Sequence, residues 1–373
     1  MGTVASMGYT RVLFLLLILA ASFPASAAAD ARGVDPAEPN PLAGLTFYND
    51  PESPAMQEWR HLERSGLHEK ANLIWKIAGQ PKALWLGRFT RPNFAITVRR
   101  LIDPAKARGE VPIFTVLRAQ ATGCGPTYQG GGPGEDRATE AWYDDLARVI
   151  GDDRVVIAFE PDSLGTIDCL AASRRDDRLR MLRHGVDVLS DLPNATIYLE
   201  AGASDWEPAS RTAKQLRAIG VSKVRGFMLN VTHHDWTRAN IQHGLEISRL
   251  VGGKHFIVNT SYNGRGPIHY RRWINRTQHI WRTINVWCHP GLRGLGPPPT
   301  TATSNPLVDA YMYINRPGYS AGSCNGGPLP VGTWWPERAL MYAQYATDWL
   351  SPPPGTKYGH FKHYSLRQLG AFG

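Results

Sequence analysis

Short runs of Val, Ile, Leu and Phe, each closed by Gly, Pro or an acidic residue, alternate with longer polar segments along most of this chain. The clearest run is Val155-Val156-Ile157-Ala158-Phe159, which passes at once into Glu160-Pro161-Asp162-Ser163-Leu164. A continuous apolar run closed by a breaker suits a fully buried parallel strand, and barrel-like α/β folds carry their reacting groups at the carboxyl ends of such strands. Comparable runs predict strands at 45–48, 84–87, 111–117, 195–199, 226–231, 255–259 and 310–314. Between them the spacing predicts helices over 58–77 and 93–107, and over 137–150 with Trp142, Leu146, Val149 and Ile150 on one face. A further helix carries Leu179, Leu182, Val186 and Leu189 at helical spacing. Strand and helix in regular alternation argue for a parallel sheet with crossovers, long enough here to close into a barrel.

With 373 residues, 43% of them hydrophobic, the chain can bury one large core. The apolar run 12–19 behind Arg11, followed by Ala25-Ser26-Ala27-Ala28-Ala29, fits a secretory signal over 1–29. A disordered, Pro-rich lead-in is expected over 30–41 and a single folded domain over 42–373. No other stretch has the apolar length of a membrane span, so a secreted, soluble monomer is expected. In an exported chain four cysteines predict two disulfides, with three possible connectivities. The formal charge of +9 becomes +8 without Arg11, and the basic residues are scattered, which favours a merely solubilising charge over attraction to an anionic cell surface or wall polymer and over nucleic-acid binding.

Read in order, the strand ends carry Trp85-Leu86, Gly123-Cys124-Gly125, Glu160 to Leu164, Tyr198-Leu199-Glu200-Ala201-Gly202 with Trp206, Leu229-Asn230-Val231, Trp287-Cys288-His289-Pro290-Gly291 and Arg316-Pro317-Gly318. The loop 122–134 is unusually rich in glycine, as a functional loop on a rigid scaffold can be. In this order and spacing the chain resembles glycoside hydrolase family 6, the inverting β-1,4-glucanases and cellobiohydrolases, over nearly all of its mature length. The resemblance implies a distorted β/α barrel of about seven parallel strands. It also implies a β-1,4-linked polysaccharide as substrate, no cofactor, and disulfides pairing Cys124 with Cys169 and Cys288 with Cys324. Asp162 matches the family's general acid. Trp85, Trp206 and Trp287 match its substrate-contacting aromatics, with Glu200 and Asn230 as polar contacts. Flat apolar sugar faces stack on tryptophan while strand-end polar groups bond the hydroxyls, although an isolated tryptophan more often packs a core.

Inverting hydrolysis needs a protonated carboxyl at the leaving oxygen and a carboxylate roughly 6.5 to 9.5 Å away to activate water. Glu160 is a partner for Asp162 only if the strand stays regular through Pro161, and that is left open. Several family positions differ together. The family's Asp before the first cysteine is Gly123 here, its strand-end Tyr is Leu117, and its Glu-x-Asp-Gly is Tyr319-Ser320-Ala321-Gly322. A usual Asp and His before Trp206 read Glu200 and Ala203, and a usual Arg reads Tyr262. Two function classes follow: a hydrolase using Asp162, or a degenerate scaffold that holds a glycan without cutting it. His233-His234-Asp235 offers metal-type residues, but such a loop more often holds solvated polar groups, and no metal is expected. Four glycosylation sequons begin at Asn194, Asn230, Asn259 and Asn275, two of them on predicted buried strands.

Overall fold

A computed structural model describes residues 1–2, 38–87, 94–119, 133–275, 277 and 280–354. The signal segment, the lead-in up to residue 37 and the glycine-rich loop through residue 132 lie outside these residues. So does Cys124, and with it the pairing to Cys169. Residues from 38 onward belong to one unit, Gly33–Gly373.

The sequence pattern is realised as β1 (Leu84–Gly87), β2 (Ile113–Leu117), β3 (Val155–Phe159), β4 (Ala195–Glu200), β5 (Gly226–Leu229) and β6 (His255–Asn259), all parallel neighbours. A hairpin of β7 (His269–Asn275) and β8 (Ile280–Asn285) interrupts the series before β9 (Val308–Met312) adds to β6. One parallel bridge, Lys82 to Tyr313, joins the two edges, so the seven-stranded sheet curls into a barrel closed at a single point. Helices α1 (Pro54–Arg64) and α2 (His68–Ala78) precede β1. After it α3 (Phe94–Ala107), α4 (Pro133–Ile150), α5 (Ala172–Ser190), α6 (Ala209–Ile219) and α7 (Thr237–Leu250) each link consecutive strands, and α8 (Pro336–Gln344) follows β9.

Strand parity sorts the core into two shells, because successive side chains point to opposite faces. Val155, Ile157 and Phe159 join Leu199, Phe227, Leu229, Phe256 and Val258 in the shell under the helices, against Tyr143, Leu182, Val186 and Leu216. Val156, Ala158, Tyr198, Met228, Ile257 and Ala310 fill the barrel interior. At the amino-terminal end Asp309, fully buried, accepts from Tyr198 Oη at 2.7 Å and Arg225 Nε at 2.8 Å, so its charge is compensated and the barrel floor is sealed.

Two expectations change. The single helix over 58–77 is two helices, because Gly66 turns left-handed (φ 69°) between them. The strand at 45–48 contributes only a bridge from Phe47 to Val111.

Candidate active site

Where β3 ends the backbone turns left-handed twice, at Glu160 (φ 54°) and Asp162 (φ 67°); Asn230 after β5 (φ 68°) and His289 (φ 48°) share this conformation. For residues other than glycine it costs on the order of 1 to 3 kcal/mol and persists only where the surroundings enforce it, commonly at functional sites.

The double turn sends the two acids to different places. Parity alone would point Glu160 into the barrel after Ala158. Instead its carboxylate accepts from the backbone N–H of Arg118 at 2.8 Å and of Ala119 at 2.9 Å, and from the Tyr143 hydroxyl at 2.6 Å. Glu160 therefore clamps the end of β2 to α4. Burial pushes its pKa up to about 7, against the pull of these bonds and of the Arg178 charge.

Asp162 is half-buried, and its Oδ1 accepts from Thr232 Oγ1 at 2.5 Å. Its backbone carbonyl accepts from the N–H of Thr166 at 3.0 Å, which fixes the following turn. Burial raises its pKa, while the Thr232 bond and the charge of His233 pull the other way. A second buried acid stands at the end of the neighbouring strand β4. There the buried Glu200 accepts from the N–H of Leu164 at 3.0 Å and of Gly202 at 2.6 Å. Burial first, and the charge of Asp162 second, push Glu200 up to about 8. Burial thus favours the protonated form at both acids, and at Glu200 the charge of Asp162 adds to it.

His233, one residue beyond Thr232, pairs Nδ1 with Asp205 Oδ1 at 2.8 Å and stacks on Trp206, ring centres 4.7 Å apart and planes 12° apart. A Cβ on Gly165 would come within 2.5 Å of the same indole, so glycine is needed for Trp206 to lie there. Asn230, fully buried, donates its amide to the carbonyls of Asp235 at 3.1 Å and Asn259 at 3.2 Å, which holds the ends of β5 and β6 together.

Across the barrel mouth Trp85 donates Nε1 to the Ile314 carbonyl at 3.0 Å, and the Arg316 guanidinium lies 5.6 Å from its ring centre and 4.5 Å from that of Tyr319. Trp287 is 52% exposed and adjoins Cys288, which is disulfide-bonded to Cys324 as the resemblance implied. Tyr262 donates its hydroxyl to the Val231 carbonyl and accepts from Asn315 Nδ2 at 2.7 Å. Ala321, the residue the sequence resemblance set against the family's proposed base, presents an exposed methyl. The Ala321 N–H donates to His289 Nε2 at 2.8 Å, and His289 Nδ1 donates to the Cys324 carbonyl at 2.9 Å.

Asp162, Glu200 and Trp206 are thus brought together, Trp85 sits at the β1–β9 seam, and Trp287 adjoins the disulfide. Sequence reasoning missed Thr232 and the His233–Asp205 pair, and singled out Arg316 only as part of the Arg316-Pro317-Gly318 strand end. His233-His234-Asp235 drew attention only as metal-type residues. In the structure their side chains diverge: His234 packs on Tyr262 with ring centres 4.4 Å apart, and Asp235 Oδ2 accepts from Ser204 Oγ at 2.5 Å. Among the described residues one cluster has metal-ligand composition, Cys288, His289 and Cys324, and its two sulfurs are already joined to each other.

An α/β barrel with two buried or partly buried carboxyls, Asp162 and Glu200, at the carboxyl ends of adjacent strands is the class this geometry defines. The family model "Glycosyl hydrolases family 6" matches residues 42–346, and the chain belongs to that family. It is 33% identical over 310 residues to Endoglucanase A of Cellulomonas fimi, covering 83% of this chain and 62% of that protein. It is 28% identical over 276 residues to Endoglucanase A of Thermobispora bispora, covering 73% of this chain and 56% of that one. The chain therefore spans about three-fifths of the length of these curated relatives. Among solved structures it resembles the endoglucanase Cel6 of Mycobacterium tuberculosis in complex with methyl-cellobiosyl-4-deoxy-4-thio-β-D-cellobioside, with a TM-score of 0.71 and 35% identity over 82% of this chain and 99% of that one. Endoglucanase CEL6B of Humicola insolens, at 21% identity and a TM-score of 0.66 over 84% of this chain and 100% of that one, shares the fold.

Proposed function

We propose that the chain is a secreted glycosyl hydrolase that cleaves a β-1,4-linked, cellulose-like glucan with inversion, using Asp162 as general acid without a carboxylate base at the family's positions. The observation that carries this reading is the position of Asp162 at the carboxyl end of β3, with Oδ1 held by Thr232 Oγ1 at 2.5 Å and with burial raising its pKa, which favours the protonated form a general acid needs. In the proposed step the Asp162 proton passes to the glycosidic oxygen, the C1–O bond breaks, and water attacks the anomeric carbon from the opposite face. The water's proton leaves through solvent, because Ala321 offers only a methyl. Trp85, Trp206 and Trp287 provide apolar platforms for the sugar rings. The endoglucanase names of the relatives and the thio-oligosaccharide held by the Mycobacterium enzyme support a glucan substrate. Export, with a signal over 1–29 removed before the domain at 42–373, is supported by the apolar run behind Arg11 and the Cys288–Cys324 disulfide. No described helix is long and apolar enough to cross a membrane.

A second reading rests on Ala321: a scaffold without a base could hold the glycan and not cut it. A reducing-end assay on a panel of β-glucans and wall polysaccharides, run beside a pull-down on the same polymers, separates the two. Release of reducing ends supports the hydrolase, and binding without release supports the degenerate scaffold.

A further inference from the structure

Arg316 stands on the loop after β9, at the same strand-end face as Asp162, and among the described residues its guanidinium has no hydrogen-bond acceptor, whereas the buried Arg293 and Arg338, also without a carboxylate, donate to the carbonyls of Gly266 and Pro290 at 2.6 Å. Arg118, Arg174 and Arg225 each meet a carboxylate: Glu135 at 2.8 Å, Asp136 at 2.5 Å and Asp309 at 2.8 Å. Arg316 meets none among the described residues. Its guanidinium is held by the faces of Trp85 and Tyr319, contacts that use the positive charge but no N–H donor, and its buried Nε has no hydrogen-bond partner. Burial pushes the Tyr319 phenol up to about 12, so that ring is neutral and supplies no counter-ion.

The loop itself supplies no counter-ion: between Asp309 and Glu337 the chain carries no Asp or Glu, so the segment keeps a partly desolvated cation without an acid of its own. A guanidinium in this state is costly unless its anion arrives with a ligand, and the planar fork of arginine suits an oxyanion bound through two N–H groups. The net charge, +8 once Arg11 leaves with the signal, favours approach of a polyanion.

Resting on the glycan reading above, we propose that the cleft beside Trp85 takes a β-linked glycan bearing anionic oxygen groups, and that Arg316 recognises those groups. A uronate carboxylate and a sulfate ester share this chemistry. The recognition sets which sugar occupies the cleft and leaves the bond-breaking step at Asp162.

Calorimetric titration of the full chain with neutral cello-oligosaccharide, the same oligosaccharide oxidised to the carboxylate at C6, and its sulfated form tests this. The wild type should bind one of the anionic forms at least about tenfold more tightly than the neutral form, with a preference that shrinks as salt is added. The readout for variants is the ratio of anionic to neutral affinity. Arg316→Met and Arg316→Gln should bring it to about one, and Arg316→Lys should leave it intermediate, because a point charge lacks the fork. Near-UV circular dichroism identifies a variant that fails to fold, and the wild-type ratio and its salt dependence then decide alone. A wild-type ratio near one with good neutral binding overturns the inference while leaving the glucan reading standing. So does a preference that persists in folded Arg316→Met or Arg316→Gln. Binding of none of the three glycans overturns both. The anionic form that gains affinity identifies the group recognised.

Discussion

The Thr232 hydroxyl donates to Oδ1 of Asp162 across 2.5 Å, tying the acid at the end of β3 to the loop after β5. A bond to the ionised carboxylate stabilises that form and opposes the rise that burial imposes on Asp162. Removing the donor in Thr232→Val should raise the Asp162 pKa further. Because the acid works only when protonated, the alkaline limb of the kcat/KM profile should move to higher pH, while Thr232→Ser should leave it in place. A limb that moves to lower pH, or does not move, would show that this bond does not govern the acid.

Glu200 carries a stability signature of its own. Its pKa is raised from 4.5 to about 8, so between those values the folded chain binds more protons than the unfolded one. The associated stability is fully present below pH 4.5 and lost as pH rises toward about 8, at up to about 1.4 kcal/mol per pH unit. Buried Lys82, lowered to about 7, and His234, also lowered, act in the opposite sense. The difference in unfolding free energy between wild type and Glu200→Gln, followed by denaturant melts from pH 5 to 8.5, isolates the carboxyl. It should shift steadily against the wild type as pH rises.

Trp206 and Trp287 should separate in their effects. Trp287, about half exposed, should become Ala with a stability change within about 0.5 kcal/mol. Trp206, stacked on His233 and pressed against Gly165, should cost stability as well as glycan affinity. Each substitution should weaken glycan binding by about 1 kcal/mol or more, measured on folded protein. Unchanged affinity in folded Trp287→Ala would remove that residue from the proposed platform.

The strands were legible because buried parallel strands need unbroken apolar runs, and those runs place Glu160, Glu200 and Asn230 at or next to strand ends. What the chain does with those residues was not legible. Glu160 and Asp162 part company through two positive φ angles, which no side-chain pattern encodes. The coupling of Glu200 to Asp162 depends on the spacing of β3 and β4, and Thr232 reaches Asp162 over a separation of 70 residues. The β7–β8 hairpin also escaped notice, because the polar and apolar residues of His269–Asn275 do not alternate.

Ala321 offers a direct gain-of-function test. Its side chain is exposed and its N–H is already held by His289, so an added carboxylate meets space and a fixed backbone. Ala321→Asp should raise the rate on β-1,4-glucan by up to about a hundredfold if the lost base limits turnover. No increase in a folded, glycan-binding variant would place the limiting step elsewhere. Gly123→Asp is expected to do less, since a side chain there enters a loop built of glycine.

Whether the proton for bond cleavage comes from Asp162 is decided by the release of reducing ends from Asp162→Asn, assayed beside wild type with glycan binding measured on the same preparations. The amide keeps the carboxyl's shape and can still accept from Thr232, but it has no acidic proton to give. Activity should fall by about a hundredfold or more with glycan affinity largely unchanged. Hydrolysis at the wild-type rate by Asp162→Asn would contradict that assignment of the proton.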